Sequence, residues 1–76
     1  MEKLKEFLNS LPREEQEKFS AMCGTSVGYL RKAITKRSKL GAALCVKIET
    51  ASHGVVTRKD LHPGEWKEIW PELDAA

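Results

Sequence analysis

Acidic side chains are missing from the whole middle of this chain. None occurs between Lys18 and Ile48, a stretch that carries Lys18, Arg31, Lys32, Lys36, Arg37, Lys39 and Lys47. Also missing is any apolar run long enough to span a bilayer. The opening residues, Met1-Glu2-Lys3-Leu4-Lys5, lack the apolar stretch of a secretory signal. The expectation is a soluble, cytosolic protein with no membrane partner. Cysteine is scarce: Cys23 and Cys45 are the two thiols, and His53 and His62 lie far from both in sequence. This gives neither a disulfide framework nor the spacing of a zinc site. Both thiols read as small core residues, and no metal or cofactor is expected. Paired-carboxylate, nucleophile-elbow and phosphate-loop patterns are absent too. Glu65 and Glu68 near His62 fit a solvated helix face better than an acid–base pair. An enzyme acting on a small-molecule substrate is therefore not expected.

What is present is one domain's worth of chain, 76 residues, with a marginal core in which each apolar face counts. The net charge of +2 hides a strong asymmetry. Residues 1–17 hold three basic and five acidic side chains, residues 18–48 seven basic and no acidic, and residues 49–76 three basic and six acidic. A basic middle between acidic ends suggests one face built for a polyanion rather than a uniformly solvated surface.

The apolar periodicity predicts helices throughout. Leu4, Phe7, Leu8 and Leu11 follow the i, i+3, i+4, i+7 spacing of one helical face. Asn9-Ser10-Leu11-Pro12 breaks that helix, and Pro12 suits the first turn of the next. Glu14, Glu15 and Glu17 sit early in this second helix, where the macrodipole favours acids, and Phe19, Met22 and Cys23 supply its buried face. Gly24 is expected to end it in a left-handed conformation. Thr25 or Ser26 can cap a third helix, with Leu30, Ala33 and Ile34 inside and an end near Lys36-Arg37-Ser38. Ser38 is a plausible cap for a fourth helix with Leu40, Ala43, Leu44, Cys45, Ile48 and Ala51 as its apolar positions. That wide arc suits a centrally packed helix. His53-Gly54 ends it, and Val55-Val56 reads as a short extended link. Thr57-Arg58-Lys59-Asp60 has the shape of a capping box. Trp66, Ile69 and Trp70 line one side of a last helical turn before Pro71, and residues 72–76 read as a loose tail.

Helix, glycine turn and helix within about twenty residues form the unit that DNA-binding helix-turn-helix proteins use. It occupies roughly residues 13–36. The first helix braces the second, whose opening turns enter the major groove. Gln16 opens the unit, where a polar side chain can touch phosphate, and Ser20 is the small residue at the close approach of the two helices. With Leu30 and Ala33 inside, Ser26, Val27, Gly28, Arg31, Lys32 and Thr35 face outward. Arg31 could donate two hydrogen bonds to guanine, and Lys32 could reach guanine or phosphate. Ser26 suits a base edge or a phosphate, and Val27 either a thymine methyl or the core. Gly28 within a helix costs roughly 1 kcal/mol against alanine. Close approach to DNA and close helix packing explain it equally well. Thr35, Lys36, Arg37 and Lys39 lie where the helix leaves the groove, so phosphate contact is expected. Tyr29 leans to the core.

The stretch Gly24-Thr-Ser-Val-Gly-Tyr-Leu-Arg-Lys-Ala-Ile34 resembles the turn and recognition helix of phage Cro repressors. Cys45-Val-Lys-Ile-Glu-Thr-Ala-Ser-His-Gly-Val-Val-Thr-Arg-Lys-Asp-Leu-His-Pro63 resembles the second half of Cro-like and YdaS-like prophage regulators. There, a helix ending in an Ile-Glu-x-Ala/Thr-x-x-Gly pattern leads into Val-Thr-x-x-x-Leu-x-Pro. The likeness covers roughly residues 12–70. It implies an all-α, small five-helix lambda-repressor-like (Cro-like) domain, repression at a double-stranded DNA operator, and a phage or prophage origin. Ser20 stands where such motifs usually hold alanine, and Thr25 where a small aliphatic residue is usual. Some Cro proteins replace the last helices with a β-hairpin, but Pro63, Gly64 and Pro71 oppose a long second strand.

The rival reading is a protein-interaction module of a toxin–antitoxin-like system, anchored by Trp66 and Trp70, since tryptophan dominates hot spots. The alternative for these rings is to close the core of the small bundle. A homodimer, pre-existing or formed on DNA, is also expected, because one recognition helix buries little surface.

Overall fold

Leu4, Leu8, Leu30, Leu40, Ile48 and Val56 are the largest apolar side chains withdrawn completely from solvent, and they come from both ends and the middle of the chain. Helices assemble them. In a computed structural model that describes residues 1–73, the elements are α1 (Glu2–Ser10), α2 (Arg13–Met22), α3 (Val27–Lys36), α4 (Ala42–Ala51), α5 (Arg58–Leu61) and α6 (Trp66–Ile69), followed by a 3-10 turn over Pro71–Leu73. No strand occurs among the described residues, so the domain is all-α and Val55-Val56 forms no hairpin. Among the described residues the α-helices number six, not the five expected, because two of them are single turns of four residues.

The i, i+3, i+4 pattern of α1 holds: Leu4 and Leu8 are buried, and Phe7 meets the Phe19 ring edge-on with centroids 5.0 Å apart. Pro12 stands at the N-cap of α2 rather than in its first turn. Met22 departs from the expectation. It is 67% exposed, because Phe19 and Cys23 already fill the inner side of α2. Tyr29 is 52% exposed and is likewise not a core residue. Both cysteines are buried and free, as expected. Burial pushes the Cys45 thiol up to about 11. It also raises the Cys23 thiol, against a smaller opposing effect of Lys47. Such thiols pack and do not react.

The fourth helix begins later than expected. Its N-cap is Gly41, not Ser38, whose N–H instead closes the end of α3 on the Ala33 carbonyl at 3.0 Å. Leu40 is therefore a buried loop residue ahead of α4, and Ala43 faces outward. The capping box at Thr57 is complete. Asp60 N–H donates to the Thr57 hydroxyl, and Thr57 N–H donates to the Asp60 carboxylate at 2.9 Å.

The C-terminal segment closes the core. Trp70 is 7% exposed and meets the edge of His62, whose Nε2 donates to the Leu40 carbonyl at 2.7 Å. Arg58 ties the same region together. Its Nε and backbone N–H both donate to Glu49 on α4, its Nη1 lies 3.6 Å from Glu72, and its guanidinium sits 5.4 Å from the Trp70 ring centre. Glu72 and half-buried Leu73 thus belong to the packed fold rather than to a loose tail. Residues 74–76, also expected to be loose, lie outside the described residues. No described helix is long and apolar enough to cross a membrane.

Two stability predictions follow from the core. Trp70→Ala should cost about 3–5 kcal/mol. For so small a domain that is most of the total, so loss of the helical circular-dichroism signal is expected at room temperature. Ser20 is 1% exposed and, among the described residues, its hydroxyl has no hydrogen-bond partner. Removing a buried hydroxyl that nothing satisfies relieves a desolvation cost of about 1–3 kcal/mol. Ser20→Ala should therefore raise the urea midpoint, and a lowered midpoint would mean that the hydroxyl contributes a bond.

Candidate functional site

The site is built on the joint between α2 and α3. The last turn of α2 closes by a paired motif: Gly24 N–H donates to the Ala21 carbonyl at 2.9 Å and Thr25 N–H to the Ser20 carbonyl at 3.0 Å. This pairing needs a left-handed residue between them, and Gly24 supplies it at φ +74°. Ser26 then caps α3, its hydroxyl accepting from Tyr29 N–H at 3.1 Å. Leu30 and Ala33 are buried inward, which fixes the opposite side of α3 as outward.

Ser26, Gly28, Lys32, Thr35, Lys36 and Arg37 are all exposed on or beside that side, and Val27 is half-buried. Among the described residues, Lys32, Lys36 and Arg37 have no carboxylate within ion-pairing distance. Lys39 is placed differently. It pairs with Glu65 on the far side of the α3–α4 loop, and this contact holds the Glu65 carboxyl below its usual range. Lys39 thus faces an acid that the other lysines do not.

Two backbone features of α3 run against local preference. A β-carbon at Gly28 would meet nothing closer than the Ser26 hydroxyl at 4.0 Å. No neighbouring helix requires the glycine, so the packing explanation fails. Arg37, at the end of α3, adopts φ +54°, a left-handed conformation in which glycine or asparagine would be less strained. An arginine is kept there at a conformational cost.

Gln16 and Arg31 are brought together. The Gln16 amide nitrogen donates to the Leu8 and Leu11 carbonyls at 2.9 and 3.0 Å, stapling the α1–α2 turn. Its Oε1 is left to accept from Arg31 Nη2 at 3.3 Å. Arg31 Nη1 donates to Asn9 Oδ1 at 3.1 Å. Gln16 therefore meets protein carbonyls with the very donors expected for phosphate. Asn9 was not expected at the site: it lies 22 positions from Arg31, and only the packing of α1 on α3 joins them.

The surface expected for a protein partner is smaller than its sequence suggested. Trp70 is buried, which leaves half-buried Trp66 between the Lys59 and Lys67 ammonium groups, 4.3 and 5.7 Å from its ring centre.

Comparison with known proteins adds an independent observation. No family model matches the chain, and no solved structure matches it. A prophage transcriptional regulatory protein of Escherichia coli (strain K12) is 30% identical over 69 residues, covering 91% of this chain and 98% of that protein. With that identity over almost the entire length of both, the chain belongs to the family of this prophage transcriptional regulatory protein.

Proposed function

We propose that the chain is a sequence-specific double-stranded DNA-binding transcriptional regulator, a Cro-type phage or prophage repressor with a helix-turn-helix in α2–α3. It inserts Ser26–Lys36 into the major groove of its operator. The observation that carries this reading is the outward side of α3. It presents Thr35 and the cations Lys32, Lys36 and Arg37, which have no carboxylate partner among the described residues, beside a Gly28 that no internal contact requires. The regulatory name of the Escherichia coli relative agrees with it.

Each part of the helix then has a task. The bare backbone at Gly28 lets the first turn of α3 come close to the groove floor. Arg31 reads a guanine edge, and Lys32 a guanine or a phosphate. Val27, half-buried, offers only part of its side chain to a thymine methyl. Lys36 and Arg37 sit where α3 leaves the groove and take phosphates, which position the protein without reading sequence. Two copies bind two half-sites about one helical turn apart. The interaction-module reading keeps only half-buried Trp66 of its two tryptophan anchors, since Trp70 is buried.

Selection of duplexes from a randomised library at about physiological salt tests the proposal. An inverted repeat is expected, and a folded protein that enriches no sequence would overturn it. On the selected duplex, Arg31→Ala should lose about 1–3 kcal/mol of discrimination at one base pair. Lys36→Ala should weaken all duplexes alike and reduce the salt slope by about 1. Gly28→Ala should separate folding from function. It should stabilise the chain by up to about 1 kcal/mol in urea unfolding while weakening operator binding, because a methyl group then stands between α3 and the groove.

A further inference from the structure

Among the described residues, Arg31 is the one basic residue on the outward side of α3 whose charged head is held by the protein itself. Its Nη1 and Nη2 donate to two different acceptors, Asn9 Oδ1 on α1 and Gln16 Oε1 on α2. Both acceptors are neutral amides. Their orientation is settled by chemistry, because a guanidinium only donates and the Gln16 nitrogen already faces two carbonyls. We propose that Asn9 and Gln16 form a cradle that holds the Arg31 guanidinium in reading position, so that Asn9 sets sequence preference as a positioning residue without touching DNA.

Three properties of the arginine support the cradle, given the DNA-reading role of Arg31 proposed above. An arginine carries five N–H donors. The cradle uses two, which leaves enough for a bidentate contact with a base. Second, anchoring both terminal nitrogens fixes the plane of the guanidinium, so rotamer freedom is given up on folding rather than on binding. Third, neutral acceptors orient the group without cancelling its charge. A carboxylate in either place would hold Arg31 as an ion pair and repel the phosphates nearby. Asn9 gives the cleaner test, since it is exposed, whereas Gln16 also staples the α1–α2 turn.

The experiment is a double-mutant cycle on the full chain, with the selected duplex and a scrambled duplex of equal length as probes. Asn9→Ala should weaken binding to the selected duplex roughly three- to tenfold. It should leave the scrambled duplex unchanged and have no further effect in an Arg31→Ala background. Asn9→Asp should be weaker still. An equal loss on both duplexes, or a loss that persists without Arg31, would mean that Asn9 acts on DNA directly and would overturn the cradle. So would an absence of any loss. A readout without DNA separates this failure from that of the DNA reading. In nitrogen-15 spectra of the free protein, the Arg31 Nε–H should be ordered in the native chain and averaged in Asn9→Ala. If it is equally mobile in both, the cradle is wrong and the DNA reading stands. If Arg31→Ala leaves sequence preference intact, both fall together.

Discussion

The fixed angle between α2 and α3 is the constraint on which the rest depends. It is set over a few residues by hydrogen bonds to the Ser20 carbonyl and by the left-handed backbone of Gly24. Any side chain at Gly24 would be strained there, and its first carbon would also meet the Lys47 ammonium at 3.5 Å. Once the angle is fixed, Leu30 and Ala33 are committed to the core. The basic residues of α3 are then committed to the opposite side. The acid-free middle of the sequence becomes a face only because this joint turns it outward.

Several departures from local preference lie in the same short unit. Gly28 weakens a helix for no internal reason, Arg37 takes a conformation better suited to glycine, and Ser20 buries a hydroxyl with no partner among the described residues. Outside the unit, His53 takes a left-handed backbone as well, at φ +55°, after the end of α4. The capping box at Thr57 is complete, and Gly54 takes a left-handed turn without strain. Gly28 and Arg37 both lie on the outward surface of α3, where their conformational cost serves no contact in the core. Ser20 faces inward, and no such account covers its hydroxyl.

Much of this was legible in the sequence, and what was not has a common cause. Glycine turns, helix caps and i, i+3, i+4 faces are local, so Gly24, Thr57 and the inner sides of α1 and α3 could be read directly, and the cap of α3 was narrowed to Thr25 or Ser26. Met22 was misplaced because Phe19 is followed by apolar residues at both i+3 and i+4, and spacing alone does not choose between Met22 and Cys23. Ser38 looked like a cap because it is the right residue type. The chain instead used it to close α3 and set Leu40 in a loop. The Arg31–Asn9 contact was hidden for a different reason: it joins residues that only tertiary packing brings together, and an asparagine near the end of a helix carries no signal of its own. Trp66 and Trp70 share a helical side in sequence, yet only Trp70 is buried, against His62, while Trp66 packs on the core half-buried.

The way the core is sewn together bears on when it forms. Leu4 and Leu8 belong to α1, Trp70 caps the end of α6, and α1 packs against both α3 and α5. No subset of early helices encloses the full core by itself. During synthesis, therefore, the α2–α3 joint has its local hydrogen bonds available long before the apolar cluster behind it is complete. A nascent chain halted before Trp70 emerges presents a basic helix on an open, unsealed bundle. The native surface becomes durable only when the final turn, with Arg58 gripping Glu49 and lying against Trp70, shuts over it.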